Sequence, residues 1–199
     1  MSKIAIFASG VGTNAEQLIR YFNFSQKENE VSLVLSNKAD SGVLEKAKEL
    51  GVETQVFSNK GFEEGKEVVK CLKEASIEVI VLAGFLRKVS DHILHHFKDR
   101  IINIHPSLLP LYGGKGMYGR KVHQAVLENH ENQSGISIHL VNEEFDQGKI
   151  LFQAACKVEK EDTIESLTNK IHQLEHQYFS QVVEDYVIKT IYSEDKIRQ

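Results

Sequence analysis

Apolar runs alternate with helical patterns over the first half of the chain. Runs rich in β-branched and other apolar residues predict strands at residues 3–9, 31–36, 54–57, 78–82 and 101–104. Between them, apolar residues at helical spacing predict helices at residues 13–22, 42–50, 62–75 and 90–97, the last with Ser90 as its N-cap. Strands separated by helices in this way predict βαβ units. The chain is therefore expected to be an α/β protein with a single doubly wound, mainly parallel sheet flanked by helices.

The pattern changes in the C-terminal third. Two extended runs, residues 135–141 and 149–158, are separated only by the acidic, turn-rich segment 142–148. A connection this short predicts that the two strands are antiparallel neighbours. A capping-box pattern between Asp162 and Glu165 predicts the start of a long final helix that ends at about Ile188. We see no repeats and no linker, so a single domain over residues 1–199 is expected.

Composition narrows the class of protein. A chain of 199 residues with 41% hydrophobic content suits one domain with an ordinary core. The net charge of -4 and the lack of a basic stripe argue against nucleic acid as a partner. No apolar run approaches the roughly 20 residues needed to cross a bilayer, and the N-terminal run is too short for a signal peptide. Cys71 and Cys156 stand in no metal or redox spacing, which suggests buried thiols in a cytoplasmic protein.

The segment 101–110 carries the first candidate chemistry. Side chains alternate between the faces of a strand, so Asn103 and His105 are expected to point the same way, where the strand ends before Pro106. An amide that can donate to a developing oxyanion, beside an imidazole that can move a proton near neutral pH, suits acyl transfer. The structural alternatives are a histidine satisfied within the core and a buried amide bonded to the backbone.

Asp146 is the third candidate, in a turn that ends at Gly148 and suits a loop placed over a site. A carboxylate near His105 would hold one tautomer of the imidazole and raise its pKa. The alternative is that Asp146 only caps a hairpin turn. His139, on the next predicted strand, could be a supporting donor or have a structural role.

A glycine-rich turn at residues 9–14 follows the first predicted strand and opens the first helix. Glycines permit a sharp turn, and the free N–H groups at a helix start favour an anion such as phosphate. The turn is neither a Walker A loop nor a full dinucleotide fingerprint. It could also be a tight βα turn without a ligand. His92 and His96 have the i, i+4 spacing of metal ligands, but no carboxylate or cysteine completes a set, so no metal is expected.

Seven motifs together resemble the phosphoribosylglycinamide formyltransferase family of purine biosynthesis. They lie in the family's order over nearly the whole chain, at residues 9–14, 36–40, 82–87, 103–110, 135–139, 145–148 and 175–176. The resemblance implies transfer of a formyl group from 10-formyltetrahydrofolate to the amine of glycinamide ribonucleotide. Asn103 would then bind the formyl oxygen, His105 would shuttle the proton, and Asp146 would position and tune His105.

The resemblance also implies two binding regions, a nucleotide part at about residues 1–100 and a folate-binding and catalytic part at about residues 82–190. The residues expected to bind the ribonucleotide are Gly12, Thr13, Asn14 and Glu175, of which Glu175 would bind the ribose hydroxyls. Those expected to bind folate are Lys66, Leu86, Arg87, Lys88, Val89, Asn103 and Asn142. The implied partners are small molecules, without a metal, a nucleic acid or a membrane, and the implied assembly is a monomer or homodimer.

Two departures from the family pattern stand out. The loop 111–121 is longer than the family's common form and is expected to be a mobile lid beside the nucleotide site, or else a disordered surface loop. In the helix 62–75 the family often has a ligand-binding arginine, where this chain offers only Lys66. The competing functions are formyltetrahydrofolate hydrolase and a folate- or nucleotide-binding module without catalysis. Methionyl-tRNA formyltransferase, which shares the motif at 103–110, would need an RNA-binding domain for which this chain has no room.

Overall fold

The computed structural model describes residues 2–25 and 27–197, with side chains as far as residue 190. The strands are β1 (Lys3–Ala8), β2 (Glu30–Ser36), β3 (Glu53–Val56), β4 (Val79–Leu82), β5 (Ile101–His105), β6 (Gln133–Leu140) and β7 (Ile150–Lys157). The helices are α1 (Thr13–Asn23), α2 (Gly42–Glu49), α3 (Asn59–Glu64), α4 (Lys66–Glu74), α5 (Asp91–His96), α6 (Arg120–Glu128) and α7 (Ile164–Ile197). The predicted strands agree with these bounds to within two residues.

All seven strands form one sheet in the order β3-β2-β1-β4-β5-β6-β7. The first five strands are parallel, whereas β6 is antiparallel to both β5 and β7. After β1, the chain adds β2 and β3 on one side of it. The chain then crosses back and adds β4 to β7 on the other side, so the order reverses between β1 and β4. In open α/β sheets, ligands bind at the carboxyl ends of the strands where this reversal occurs. The predicted fold class and the antiparallel pairing of β6 with β7 are confirmed.

Each face of the sheet is covered by its own apolar cluster. The first cluster joins one face of the strands to α1, α2, α6 and α7, and includes Ile4, Ile6 and Phe179. The second cluster joins the opposite face to α3, α4 and α5, and includes Phe7 and Phe62. Because both faces are covered, the central strands are apolar at nearly every position rather than at alternate ones.

The predicted helix over residues 62–75 is wrong, because two helices, α3 and α4, occupy this region. Gly65 separates them with a left-handed φ of 71° and donates its N–H to the Gly61 carbonyl, which ends α3. Glycine adopts this conformation at low cost and so terminates helices. A Cβ at Gly65 would lie 2.3 Å from Ser90 Oγ, so α5 also packs close to this point.

The other differences lie nearer the C-terminus. Helix α6 was not predicted, and α7 continues to Ile197 instead of ending at about Ile188. The capping box is shifted by one residue, because Thr163 and Ser166 exchange the reciprocal bonds between side chain and N–H. Asp162 instead accepts bonds from the Ser166 hydroxyl and the Lys170 ammonium, at 2.7 and 2.5 Å. No helix in the described residues is both long enough and apolar enough to cross a membrane.

Candidate active site

A cavity of about 930 Å³ opens at the carboxyl ends of β1, β4 and β5. Its walls come from the turn after β1, the segment after β4, the end of β5, a glycine-rich segment before α6, the end of β6 with the following loop, and one side of α7. This is the crevice that the strand order predicts as a ligand site. The residues that form it are far apart in sequence, so the sheet topology brings them together.

Asn103 and His105 both line this cavity, as their shared strand face predicts. His105 is buried, and its Nε2 lies 2.8 Å from the Tyr112 carbonyl oxygen. That carbonyl can only accept, so Nε2 carries the proton and Nδ1 is left as the acceptor of a neutral ring. Burial lowers the pKa of His105 below its ordinary value, although the Asp146 carboxylate and the Tyr112 carbonyl oppose this effect. The ring is therefore neutral at pH 7.

Asp146 lies over the imidazole, with its Oδ2 3.6 Å from His105 Nδ1. Its backbone is left-handed, with φ of 56°, and its Oδ2 accepts the Gly114 N–H at 2.9 Å. Burial raises the pKa of Asp146, but its contacts with His139, His105 and the Gly114 N–H outweigh burial and lower that pKa below its ordinary value. The carboxylate is therefore ionised. It lies where it can stabilise a positive charge on His105.

His139 joins the same group of side chains. The antiparallel register of β5 and β6 pairs it with Asn103, and the Asn103 amide nitrogen lies 3.0 Å from His139 Nε2. His139 Nδ1 donates to the Leu140 carbonyl at 2.8 Å, and Nε2 lies 3.6 Å from Asp146 Oδ1. The sequence left His139 open between two roles. Only the register of β6 against β5 shows that it orients the Asn103 amide.

The turn after β1 forms the opposite wall of the cavity. Gly12 has φ of 80°, and a Cβ there would lie 2.6 Å from the Val43 side chain, so both conformation and space require glycine. Helix α1 begins directly after it, with Thr13 and Asn14 lining the cavity. The first N–H groups of a helix have no partner within it, and they favour an anion at this point.

Glu175 of α7 meets this turn across the cavity. The Asn14 amide donates to Glu175 Oε2 at 2.9 Å, although the two residues are 161 positions apart. Burial raises the pKa of Glu175, and the Asn14 amide opposes that rise. Asn14 Oδ1 is buried without a hydrogen-bond partner among the described atoms. The four predicted ribonucleotide residues thus line one part of the cavity together.

Most of the predicted folate residues line the other end of the cavity: Leu86, Arg87, Lys88, Val89, Asn103 and Asn142. The Leu86 N–H donates to Ser9 Oγ at 3.1 Å, which ties this segment to the turn after β1. Arg87 Nη2 lies 3.0 Å from Glu63 Oε1, an unpredicted residue that also lines the cavity. Lys66 is exposed at the start of α4 and does not line the cavity. The turn at Gly65 directs it away.

The loop 111–121 borders the cavity, and its motion stays a prediction. Its residues Gly114, Lys115, Gly116, Met117, Tyr118 and Gly119 line the cavity, and α6 begins at Arg120. Its start contacts both catalytic candidates, because the Tyr112 carbonyl lies against His105 and the Gly114 N–H donates to Asp146.

On α5, the rings of His92 and His96 lie 4.7 Å apart. No group of three or more potential metal ligands occurs among the described residues.

Comparison with known proteins agrees with this site. The family described as formyl transferase matches residues 2–183. Phosphoribosylglycinamide formyltransferase, chloroplastic, from Arabidopsis thaliana is 39% identical over 91% of this chain and 64% of the plant protein, so this chain spans less than two thirds of that relative. Phosphoribosylglycinamide formyltransferase from Bacillus subtilis is 32% identical over 92% of this chain and 93% of that protein.

Solved structures show the same similarity. The crystal structure of phosphoribosylglycinamide formyltransferase from Bacillus halodurans matches with a TM-score of 0.85 and 35% identity, over 94% of this chain and 95% of that one. The one from Brucella melitensis matches with a TM-score of 0.83 and 35% identity, over 93% and 95%. Sequence and fold therefore agree, and the chain belongs to the formyl transferase family.

Proposed function

We propose that this protein transfers a formyl group from 10-formyltetrahydrofolate to the amine of 5-phosphoribosylglycinamide, a step of purine biosynthesis. The names of its relatives support the reaction. The observation that carries the proposal is the meeting of Asn103, His105 and Asp146 in a cavity that also contains a helix start suited to phosphate. One end of that cavity suits a phosphorylated acceptor and the other a folate, so the formyl group would lie between them.

The chemistry follows from the protonation states of the three residues. The substrate amine attacks the formyl carbon, and the Asn103 amide donates to the oxygen as it becomes an oxyanion. The Tyr112 carbonyl holds the proton on His105 Nε2, so Nδ1 accepts the proton that the amine loses. Asp146 stabilises the resulting imidazolium at close range. The same proton then passes to the departing folate nitrogen, and the formylated ribonucleotide and tetrahydrofolate leave.

The binding roles follow the two ends of the cavity. Thr13, Asn14 and the Gly12 turn would hold the phosphate, and Glu175 would accept the ribose hydroxyls. The segment 86–89 and Asn142 would hold the pteridine ring by backbone bonds and apolar contact. The division into a nucleotide part at about residues 1–100 and a folate-binding and catalytic part at about residues 82–190 stays a prediction, and Glu175 lies outside its nucleotide part. Lys66 as a folate ligand, a cytoplasmic location, and a monomer or homodimer stay predictions.

One assay tests the function. Purified protein mixed with 10-formyltetrahydrofolate should release tetrahydrofolate only after glycinamide ribonucleotide is added, and the formylated ribonucleotide should appear in equal amount. Release without the acceptor would indicate formyltetrahydrofolate hydrolase. Binding of both ligands without any release would indicate a binding module and would overturn the proposal.

A further inference from the structure

The cavity has two ends that differ in the cations that line them. We define the nucleotide half as residues 10–14, 114–119, His172 and Glu175, and the folate half as residues 82–89 and 141–145. Met117 of the nucleotide half packs against the first cluster, together with α1 and α7, whereas Phe85, Val89 and Val141 of the folate half belong with the second cluster. Met117 and these three residues therefore contact opposite faces of the sheet, whereas Ala83 of the folate half belongs to the first cluster.

The cations that line the cavity are unequally divided between these halves. Arg87 and Lys88 belong to the folate half, and Arg87 is already paired with Glu63. Among the described side chains, Lys115 is the only lysine or arginine that lines the nucleotide half. Nearby Lys46 does not line the cavity, and its ammonium is bonded to Glu16. A phosphate dianion in the nucleotide half would meet N–H groups, the Glu175 carboxyl and one available ammonium.

The backbone around Lys115 is held while its side chain is left free. The Gly114 N–H donates to Asp146 Oδ2 at 2.9 Å, and the Met117 N–H donates to the Gly114 carbonyl at 3.1 Å. Gly114 and Gly116 flank Lys115 with φ of 95° and 91°, conformations that suit glycine and turn the backbone sharply on both sides. The Lys115 ammonium makes no hydrogen bond or ion pair with the side chains described, residues 2–25 and 27–190.

The other cations near this loop do not line the cavity. The Lys121 ammonium lies 4.8 Å from the centre of the Tyr118 ring, in a cation–π contact, and Lys121 does not line the cavity. Arg120 begins α6 and also lies outside the cavity lining. Lys115 is thus distinguished by its position in the cavity lining, not only by its charge.

We propose that Lys115, together with Thr13 and Asn14 of the same half of the cavity, binds the phosphate of the ribonucleotide. A lysine ammonium is a compact point charge that binds phosphate oxygens, and its four-carbon stem allows it to reach from an anchored loop. The identity of the substrate rests on the proposed function, but the chemistry requires only a phosphate monoester. Lys115 is therefore a substrate-binding residue of this loop, with no part in the proton transfer.

Three variants test this role: Lys115→Gln, Lys115→Arg, and Lys48→Gln as a control that removes an exposed lysine of α2 outside the cavity. Ribose 5-phosphate is the probe, titrated into each protein by calorimetry at low and high salt. Lys115→Gln should weaken its binding about tenfold, as expected for one lost charge-assisted bond in a partly solvated site, and should reduce the dependence on salt. Lys115→Arg should stay within about threefold of the unaltered protein, and Lys48→Gln should not change the affinity.

The kinetic readout separates this role from a structural one. Lys115→Gln should raise KM for glycinamide ribonucleotide about tenfold while KM for the folate changes by less than about twofold. Unchanged affinity for ribose 5-phosphate in Lys115→Gln, or no binding by the unaltered protein, would overturn the inference. Lys115-dependent binding in a protein that transfers no formyl group would support it and overturn the proposed function. Formyl transfer by a protein whose binding of ribose 5-phosphate does not depend on Lys115 would support the proposed function and overturn this inference.

Discussion

Burial affects the protonation of His105 more strongly than its charged neighbour does. Loss of solvation lowers the pKa of the imidazole, and the Asp146 carboxylate only partly restores it. A neutral histidine at pH 7 can accept a proton from an attacking amine, which an imidazolium cannot. In the proposed reaction Asp146 would contribute later, when the ring becomes charged.

This arrangement predicts a specific pH dependence. We expect kcat/KM of the unaltered protein to be level near pH 7 and to fall on the acid side, below the ordinary histidine pKa of about 6.5, as His105 becomes protonated. Asp146→Asn removes a charge that raises the pKa of His105, so the acid limb should move to lower pH while kcat also falls. Rate profiles between about pH 5 and pH 9 measure both effects.

Two further variants serve as controls for this profile. His105→Ala should lower kcat by about 10²-fold or more and should remove the acid limb. Asp185→Asn changes an exposed carboxylate of α7 and should leave the profile as it is. An acid limb that stays in place in Asp146→Asn, or that persists in His105→Ala, would assign it to another group.

At the scale of elements, the hairpin between β6 and β7 positions the catalytic carboxylate. The Leu140 N–H donates to the Lys149 carbonyl, which closes the hairpin and leaves residues 141–148 as a loop over the cavity. A Cβ at Gly148 would lie 1.7 Å from the Leu140 carbonyl oxygen, so the loop is pressed against the end of β6. The Leu140 carbonyl belongs to the backbone of β6 and cannot turn away as a side chain could. A Cβ at residue 148 would therefore displace the loop that carries Asp146.

Gly148→Ala should therefore reduce activity by displacing the loop. We expect kcat to fall at least about tenfold, because displacements of about 1 Å at a catalytic group cost on the order of 10²-fold. Steady-state kinetics and thermal unfolding of the same sample measure the loss of activity and of stability separately. Gly61→Ala is the matched control, since a Cβ at this position of α3 makes only ordinary contacts with Phe57 and Ser58, at 3.5 Å and beyond. Unchanged kcat in Gly148→Ala would show that the loop tolerates the clash.

The elements also show which sequence signals were sufficient. The N-cap at Ser90 was read correctly, since its side chain accepts the Ile93 N–H. The break at Gly65 was missed because the apolar spacing of α4 continues the phase of Phe62 in α3. Periodicity reports which face is buried, not whether the backbone is continuous, and the glycine was the available signal. Helix α6 was not predicted, because the glycine-rich segment directly before it indicates a loop rather than the start of a helix.

At the scale of the whole molecule, α7 connects the first cluster to the cavity. One row of its buried residues repeats every four positions as Leu167, Ile171, Glu175, Phe179, Val183 and Val187, and Ser180 and Glu184 are buried beside this row. Glu175 is the one acid in this apolar row. The same packing that buries the row therefore places Glu175 against Asn14 of α1. An acidic residue within a regular apolar row is a sequence signal for a functional position.

Both clusters should contribute to a single unfolding transition, because they share the strands of one sheet. Phe179→Ala in the first cluster and Phe62→Ala in the second should each lower the free energy of unfolding by about 3–5 kcal/mol. Urea titrations followed by circular dichroism and by tyrosine fluorescence measure these changes. Phe24→Ala, at a phenylalanine that is 64% exposed, should change stability by less than about 0.5 kcal/mol. Transitions that differ between the two probes would contradict a single cooperative unit.

The sequence by itself determined the strands and most helices, the α/β class, and the shared face of Asn103 and His105. These features depend on local backbone geometry, in which the spacing of side chains fixes the face they occupy. The family resemblance added residues that no local pattern links, including Glu175. It gave their association with the site but not their contacts.

Only the tertiary structure decided which polar atoms meet. The strand order places the reversal point beside β1 and β4, and the antiparallel register of β6 brings His139 to Asn103. The loop after β5 supplies the Tyr112 carbonyl that fixes the proton on His105, and the packing of α7 brings Glu175 to Asn14. Such contacts depend on how separate elements are arranged in space. The spacing of residues within one element carries no information about that arrangement.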